Sequence, residues 1–93
     1  MTYTFHTDPG HGWLAVPLAD MPSQNLEWIS DCSYFDPQTQ TVYLEEDCDI
    51  RLAPQGWQDN MREVYAENSH VRKLPRWQAI RTYEQRMARM GFR

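Results

Sequence analysis

Residues 28–45 read WISDCSYFDPQTQTVYLE, and this stretch decides the fold. Asp36-Pro37-Gln38-Thr39-Gln40 is turn chemistry: Asp bonds its own backbone, and Pro presets φ. On its flanks lie two short runs rich in aromatic and β-branched residues, 28–35 and 41–45. A turn between two such runs predicts a hairpin. Toward the N-terminus the pattern repeats. Residues 2–6 (TYTFH) alternate, with Tyr3 and Phe5 on one face. Residues 8–12 (DPGHG) supply a turn in which Gly permits positive φ, and residues 13–16 (WLAV) return as a strand that Pro17 ends or marks as an edge. Residues 18–27, broken by Pro22, fit a short helix or an irregular loop. Two hairpins predict a small, mainly antiparallel sheet over residues 2–50.

Beyond the break at residues 53–56 (APQG), the apolar spacing changes. Trp57, Met61, Val64 and Tyr65 fall at i, i+4, i+7 and i+8, which predicts a helix over 57–68. Pro75 suits the first turn of a second helix over 75–90, with Trp77, Ile80, Tyr83, Met87 and Met90 in a stripe and Gly91 as its stop. The fold expected is therefore α+β: a small antiparallel sheet packed by two C-terminal helices, in one domain spanning 1–93. Trp57, Met61, Trp77, Ile80 and Met87 are its expected helical core residues.

Ninety-three residues make a small core. Leu, Ile, Val and Phe number only 16, but four Trp, five Tyr and five Met add large apolar side chains, and the net charge of −4 is modest. An ordered domain built on aromatic and Met bulk follows. The apolar runs are too short for a membrane span, and the first residues lack the charged and apolar regions of a signal peptide. A cytoplasmic protein with free Cys32 and Cys48 thiols is expected. Closing the second hairpin around Gln38 sets Cys32 opposite Leu44 rather than Cys48, which argues against a disulfide.

Charge is strongly polarised. Residues 1–50 hold nine carboxylates and no Lys or Arg, whereas residues 51–93 hold nine basic residues against four acids. Either the basic segment folds back on the acidic half, or the chain presents one face to an anionic partner and another to a cationic one. The partner-binding residues expected are Arg72, Lys73, Arg81, Arg86 and Arg89 on the basic side, with Glu45, Glu46, Asp47 and Asp49 on the acidic side. Arg interleaved with aromatics also suits RNA or DNA, so an accessory nucleic-acid-binding protein is the alternative. The overall negative charge disfavours it.

Covalent chemistry has little support. There is no Walker loop, no Gly-x-Ser-x-Gly and no His-Glu-x-x-His. His6, His11, Cys32 and Cys48 are proper zinc ligands without finger spacing, and residues 45–49 (EEDCD) could hold a hard cation. Their more ordinary roles are in turns and on a solvated strand end. No enzyme, cofactor or metal is expected; a metal-dependent enzyme on His6, His11 and the 45–49 acids is the third reading.

Residues 6–14 (HTDPGHGWL) and 42–49 (VYLEEDCD) resemble a motif pair of small uncharacterised proteins of proteobacterial phages and plasmids. Ile29-Ser30 and Ser33-Tyr34, between them, also resemble that pattern. The resemblance covers about residues 5–50. It implies mobile-element origin and no assigned catalytic residue. A short, acidic, single-domain protein of such origin resembles the anti-CRISPR and other anti-defence inhibitors in size and character. The function this implies is inhibition of a host ribonucleoprotein effector by charge complementarity, blocking nucleic-acid recognition, with contact to the guide RNA among the expectations.

Overall fold

The computed structural model describes residues 2–79. Both predicted hairpins form. Strands β1 (Tyr3–Thr7) and β2 (Gly12–Pro17) pair across the 8–11 loop, and β3 (Tyr34–Asp36) and β4 (Thr41–Glu45) pair across the 37–40 turn. The hairpins join through antiparallel β2 and β4, with Leu14 opposite Leu44 and Val16 opposite Val42. A fifth strand, β5 (Met61–Tyr65), lies parallel to β1, so the sheet is mixed and its order is β3-β4-β2-β1-β5. Residues 18–28 form 3₁₀ turns, Leu18–Asp20 and Ser23–Trp28, separated by Pro22.

β5 replaces the helix expected over 57–68. The segment is a 3₁₀ turn at Trp57–Asn60 followed by strand, and Val64 and Tyr65 of the supposed buried stripe are exposed. Two physical factors favour the strand. β1 would otherwise carry an open edge of unpaired backbone groups, which β5 satisfies. Gly56 at φ 82° also breaks the chain just before the segment, while Asp59 and Asn60 are poor helix residues. The second expected helix falls mostly outside the described residues. Of it, residues 75–79 are described: 77–79 are helical, whereas Pro75 and Arg76 are not, and Arg76 instead bridges to Tyr34.

The sheet is covered on both faces, which explains why residues 13–16 are apolar without alternation. On one face Leu14, Val16, Phe35, Val42 and Leu44 pack against Met21, Ile29, Leu52 and Trp77 from the 3₁₀ layer and the C-terminal segment. On the other, Trp13, Tyr34 and Tyr43 pack against Val71 and Leu74 of the 3₁₀ turn His70–Lys73 and its end. Trp77 is buried as expected, Trp57 and Met61 are half-buried, and Ile80 and Met87 lie outside the described residues. Gly12 does not use positive φ, contrary to the turn reading. Its glycine is needed for close approach, since a Cβ there would come within 2.6 Å of the Phe5 ring. Among the described residues no helix is long and apolar enough to cross a membrane.

Trp77 joins the last described segment to the core. Its ring meets Phe35 edge-on at 5.5 Å, and its backbone N–H donates to Ser33 O at 2.9 Å. Trp77→Ala is expected to cost about 3–5 kcal/mol, enough to unfold a domain of this size. Urea unfolding checks this, and an unchanged midpoint would contradict the packing.

Candidate functional site

The 8–11 loop is built on one carboxylate. Asp8 Oδ1 accepts the backbone N–H of Gly10 (3.0 Å) and of His11 (2.9 Å), an Asx turn. The same carboxylate receives Arg72, with Nε on Oδ2 at 2.5 Å and Nη2 on Oδ1 at 3.1 Å. This bidentate pair ties the first hairpin to a residue 64 positions later. The Arg72 hydrogen bond is the main cause that holds the Asp8 carboxyl well below the usual carboxylate range, and the two loop N–H groups add to it.

Arg72 leads into a row of rings and guanidinium groups. Its guanidinium lies 5.2 Å from the Trp13 ring centroid, and Trp13 meets Tyr34 edge-on at 6.0 Å. Arg76 stacks over Tyr34 at 4.7 Å and donates through Nη1 to Asp31 O at 2.8 Å. The row borders a hollow of about 150 Å³ that His11, Cys32 and Glu45 complete. Arg72 and Arg76 are exposed, whereas Trp13 and Tyr34 are buried. The buried Trp13 indole N–H has no hydrogen-bond partner among the described residues.

A second, wider groove of about 300 Å³ runs over the same face between β1, β2 and β4, along Thr4, Ala15 and Thr41. At its end His6 meets His70 edge-on at 5.1 Å, and Tyr43 Oη lies 3.4 Å from His70 Nε2. Burial first, then the His70 and Arg62 charges, push the His6 pKa down.

The acidic set divides. The strand ends at Glu45 and residues 46–49 turn back, with Asp49 N–H donating to Glu45 O at 2.9 Å. Glu45 and Asp49 are therefore buried, at 5% and 1% exposure, and are corrected out of the expected surface patch. Glu45 accepts the Asp47 N–H at 2.6 Å. Asp49 Oδ2 accepts Ser30 N–H (3.1 Å), Ser30 Oγ–H (2.8 Å) and Ser33 Oγ–H (2.5 Å). A carboxylate taken out of water needs such donors, and these fix its position inside. Glu46 and Asp47 remain exposed. Of the basic set, Arg72 and Lys73 are exposed, and Arg81, Arg86 and Arg89 lie outside the described residues. Arg76, Trp13, Tyr34 and Asp8 belong to the site although the sequence reading did not assign them to it. The Asx turn at Asp8 and the Arg76-Trp77 pair were the available signals.

His6, His11, Cys32 and Cys48 do not converge. His6 meets His70, His11 lies by Trp13, and among the described residues no three His, Cys, Asp or Glu side chains form a metal-sized group. Cys32 and Cys48 do meet, with 2.9 Å between their sulfurs. The ladder register pairs Tyr34 with Tyr43, one step from the hairpin expectation, and stops there, so Cys32 lies in the turn beyond it. No protein-family model matches the chain, and neither a curated protein nor a solved structure matches it at a significant level.

The Asp8 pair has a readable pH signature. Its carboxyl ionises more easily folded than unfolded, so its contribution is present above the ordinary carboxylate range and drains away as pH falls through about 4 and below. Asp8→Asn is expected to flatten that acid limb when urea midpoints are measured from about pH 6 down to about pH 2. Parallel curves for the two proteins would contradict the pairing.

Proposed function

We propose that the protein works by stoichiometric binding, as an anti-defence inhibitor that docks on a host ribonucleoprotein in the host cytoplasm and blocks its recognition of nucleic acid. The observation that carries this reading is Arg76. Its guanidinium lies over the Tyr34 ring, one nitrogen donates to Asp31 O, and the side chain is exposed where it lines the Trp13 hollow. An exposed arginine already ordered by an aromatic ring loses little freedom on binding, and such residues dominate protein interfaces. Its donors suit carboxylate or phosphate oxygens on the partner, including a guide-RNA backbone. Arg72, engaged with Asp8, shapes the rim, and Lys73 adds exposed charge beside it. On the acidic side, Glu46 and Asp47 are the exposed carboxylates of the 45–49 run, suited to the Lys and Arg groups of a nucleic-acid channel. The mobile-element resemblance of residues 5–50 supplies the biological setting.

Capture from host lysate, with and without nuclease, identifies the complex, and titration against it gives the stoichiometry. Inhibition is expected to saturate near one protein per target. Arg76→Ala is expected to weaken binding by about 30-fold or more, and Lys73→Ala chiefly to slow association and lessen the salt dependence. Full inhibition at strongly substoichiometric protein would overturn the occupancy reading. Tight binding to a bare oligonucleotide with a steep salt slope would instead support the nucleic-acid-binding alternative.

A further inference from the structure

We propose that Cys32 and Cys48 are a reversible dithiol–disulfide couple, oxidised by exchange with a small carboxylate-bearing disulfide of the glutathione type that enters the hollow beside Arg72 and Arg76. The two sulfurs are already in contact, with the Cys48 thiol donating to Cys32 Sγ at 2.9 Å. Their meeting is set by buried structure. Ser30 and Ser33 flank Cys32 and both donate to Asp49, the neighbour of Cys48. The Cys32 N–H also donates to Ser30 Oγ at 3.1 Å, which fixes the turn that carries the thiol. Cys48 is exposed, and half-buried Cys32 lines the hollow together with both arginines. A disulfide bearing carboxylates can thus place a carboxylate on exposed Arg76 while one of its sulfurs reaches Cys32.

The order of attack follows from position, since Cys32 lines the hollow. The hydrogen bond to Cys32, then burial, push the Cys48 thiol up to about 12, and the neighbouring Glu45 and Asp49 carboxylates add to this. Cys32 lines the hollow where the small disulfide docks and Cys48 does not, so Cys32 attacks first while the Cys48 thiol donates to it. Deprotonated Cys32 Sγ bonds one sulfur of the small disulfide, the S–S bond breaks, and one small thiolate leaves. Cys32 Sγ is now in a mixed disulfide, and the Cys48 thiol beside it still carries its proton. Cys48 then releases that proton to solvent and attacks Cys32 Sγ, expelling the second small thiolate. In total, two protein thiols are oxidised, one small disulfide is reduced to two thiols, and the two protons pass to the leaving thiolates through solvent. The product closes residues 32–48 covalently around the β3–β4 hairpin. This proposal does not depend on the inhibitor reading.

The experiment incubates the reduced 93-residue protein with glutathione disulfide, quenches by alkylation, and reads the products by mass spectrometry. Both thiols are expected to disappear together, leaving a monomer two hydrogens lighter with a 32–48 cross-link. Cys48→Ser is expected to stop at a glutathione adduct on Cys32. Thiols that stay alkylatable, independent adducts on each cysteine, or cross-linking only between chains would overturn the couple. For the substrate class, cystamine serves as the cationic comparison. Glutathione disulfide is expected to react about tenfold faster relative to cystamine with the wild type than with Arg76→Ala. The same ratio in both proteins would overturn the hollow as the docking point.

Discussion

One buried carboxylate organises the functional side of this protein. Asp49 sits at 1% exposure and accepts three hydrogen bonds from Ser30 and Ser33. Without these donors, burying its charge would cost several kcal/mol. With them, the turn after β4 is fastened to the turn before β3. The fastening extends further, because Ser33 Oγ also accepts the Glu45 N–H at 3.1 Å, and Ser33 O accepts the Trp77 N–H. Phe35 N–H in turn donates to Pro75 O at 2.9 Å. The segment carrying Arg76 is thereby hung on the edge of β3, and Tyr34 is held beneath its guanidinium.

A second tie, Asp8 with Arg72, does the same work at the other end of the hollow. Ser69 caps the 3₁₀ turn that presents Arg72, its Oγ accepting the Val71 N–H at 3.3 Å. Together the two ties turn part of the polarised charge inward. Arg72 is spent on a carboxylate of the acidic half, and Arg76 donates to a carbonyl there. Folding back and offering a face to a partner are therefore compatible. The internal pairs are what position the exposed arginines. The Cys32–Cys48 contact is a by-product of the same clamp, which is why it lies on the hollow's rim.

The hairpins were legible in the sequence because short apolar and aromatic runs flank clear turn chemistry at residues 2–17 and 34–45. β5 was not. Trp57, Met61, Val64 and Tyr65 satisfy helical spacing, and nothing local reveals that β1 needs a parallel neighbour. Trp77 was legible as core because it opens the apolar stripe that begins after Pro75, whereas bulk alone does not decide, since Trp28 is exposed. Asp49 and Glu45 were not legible as buried, since four acids in five residues read as solvated charge. Only the three-dimensional return of Ser30 and Ser33 distinguishes Asp49 from its exposed neighbour Asp47. The hairpin arithmetic missed the cysteine contact because the β3–β4 ladder ends at Tyr34, before Cys32.

The central claim is that Asp49 and Ser33 are energetically coupled and that their coupling sets the corner on which the site is built. A double-mutant cycle with Ser33→Ala, Asp49→Asn and the double variant, measured by urea unfolding, tests it most directly. The account predicts that the double variant loses about 1–3 kcal/mol less stability than the sum of the two single losses. Additive losses, agreeing to within about 0.5 kcal/mol, would contradict it.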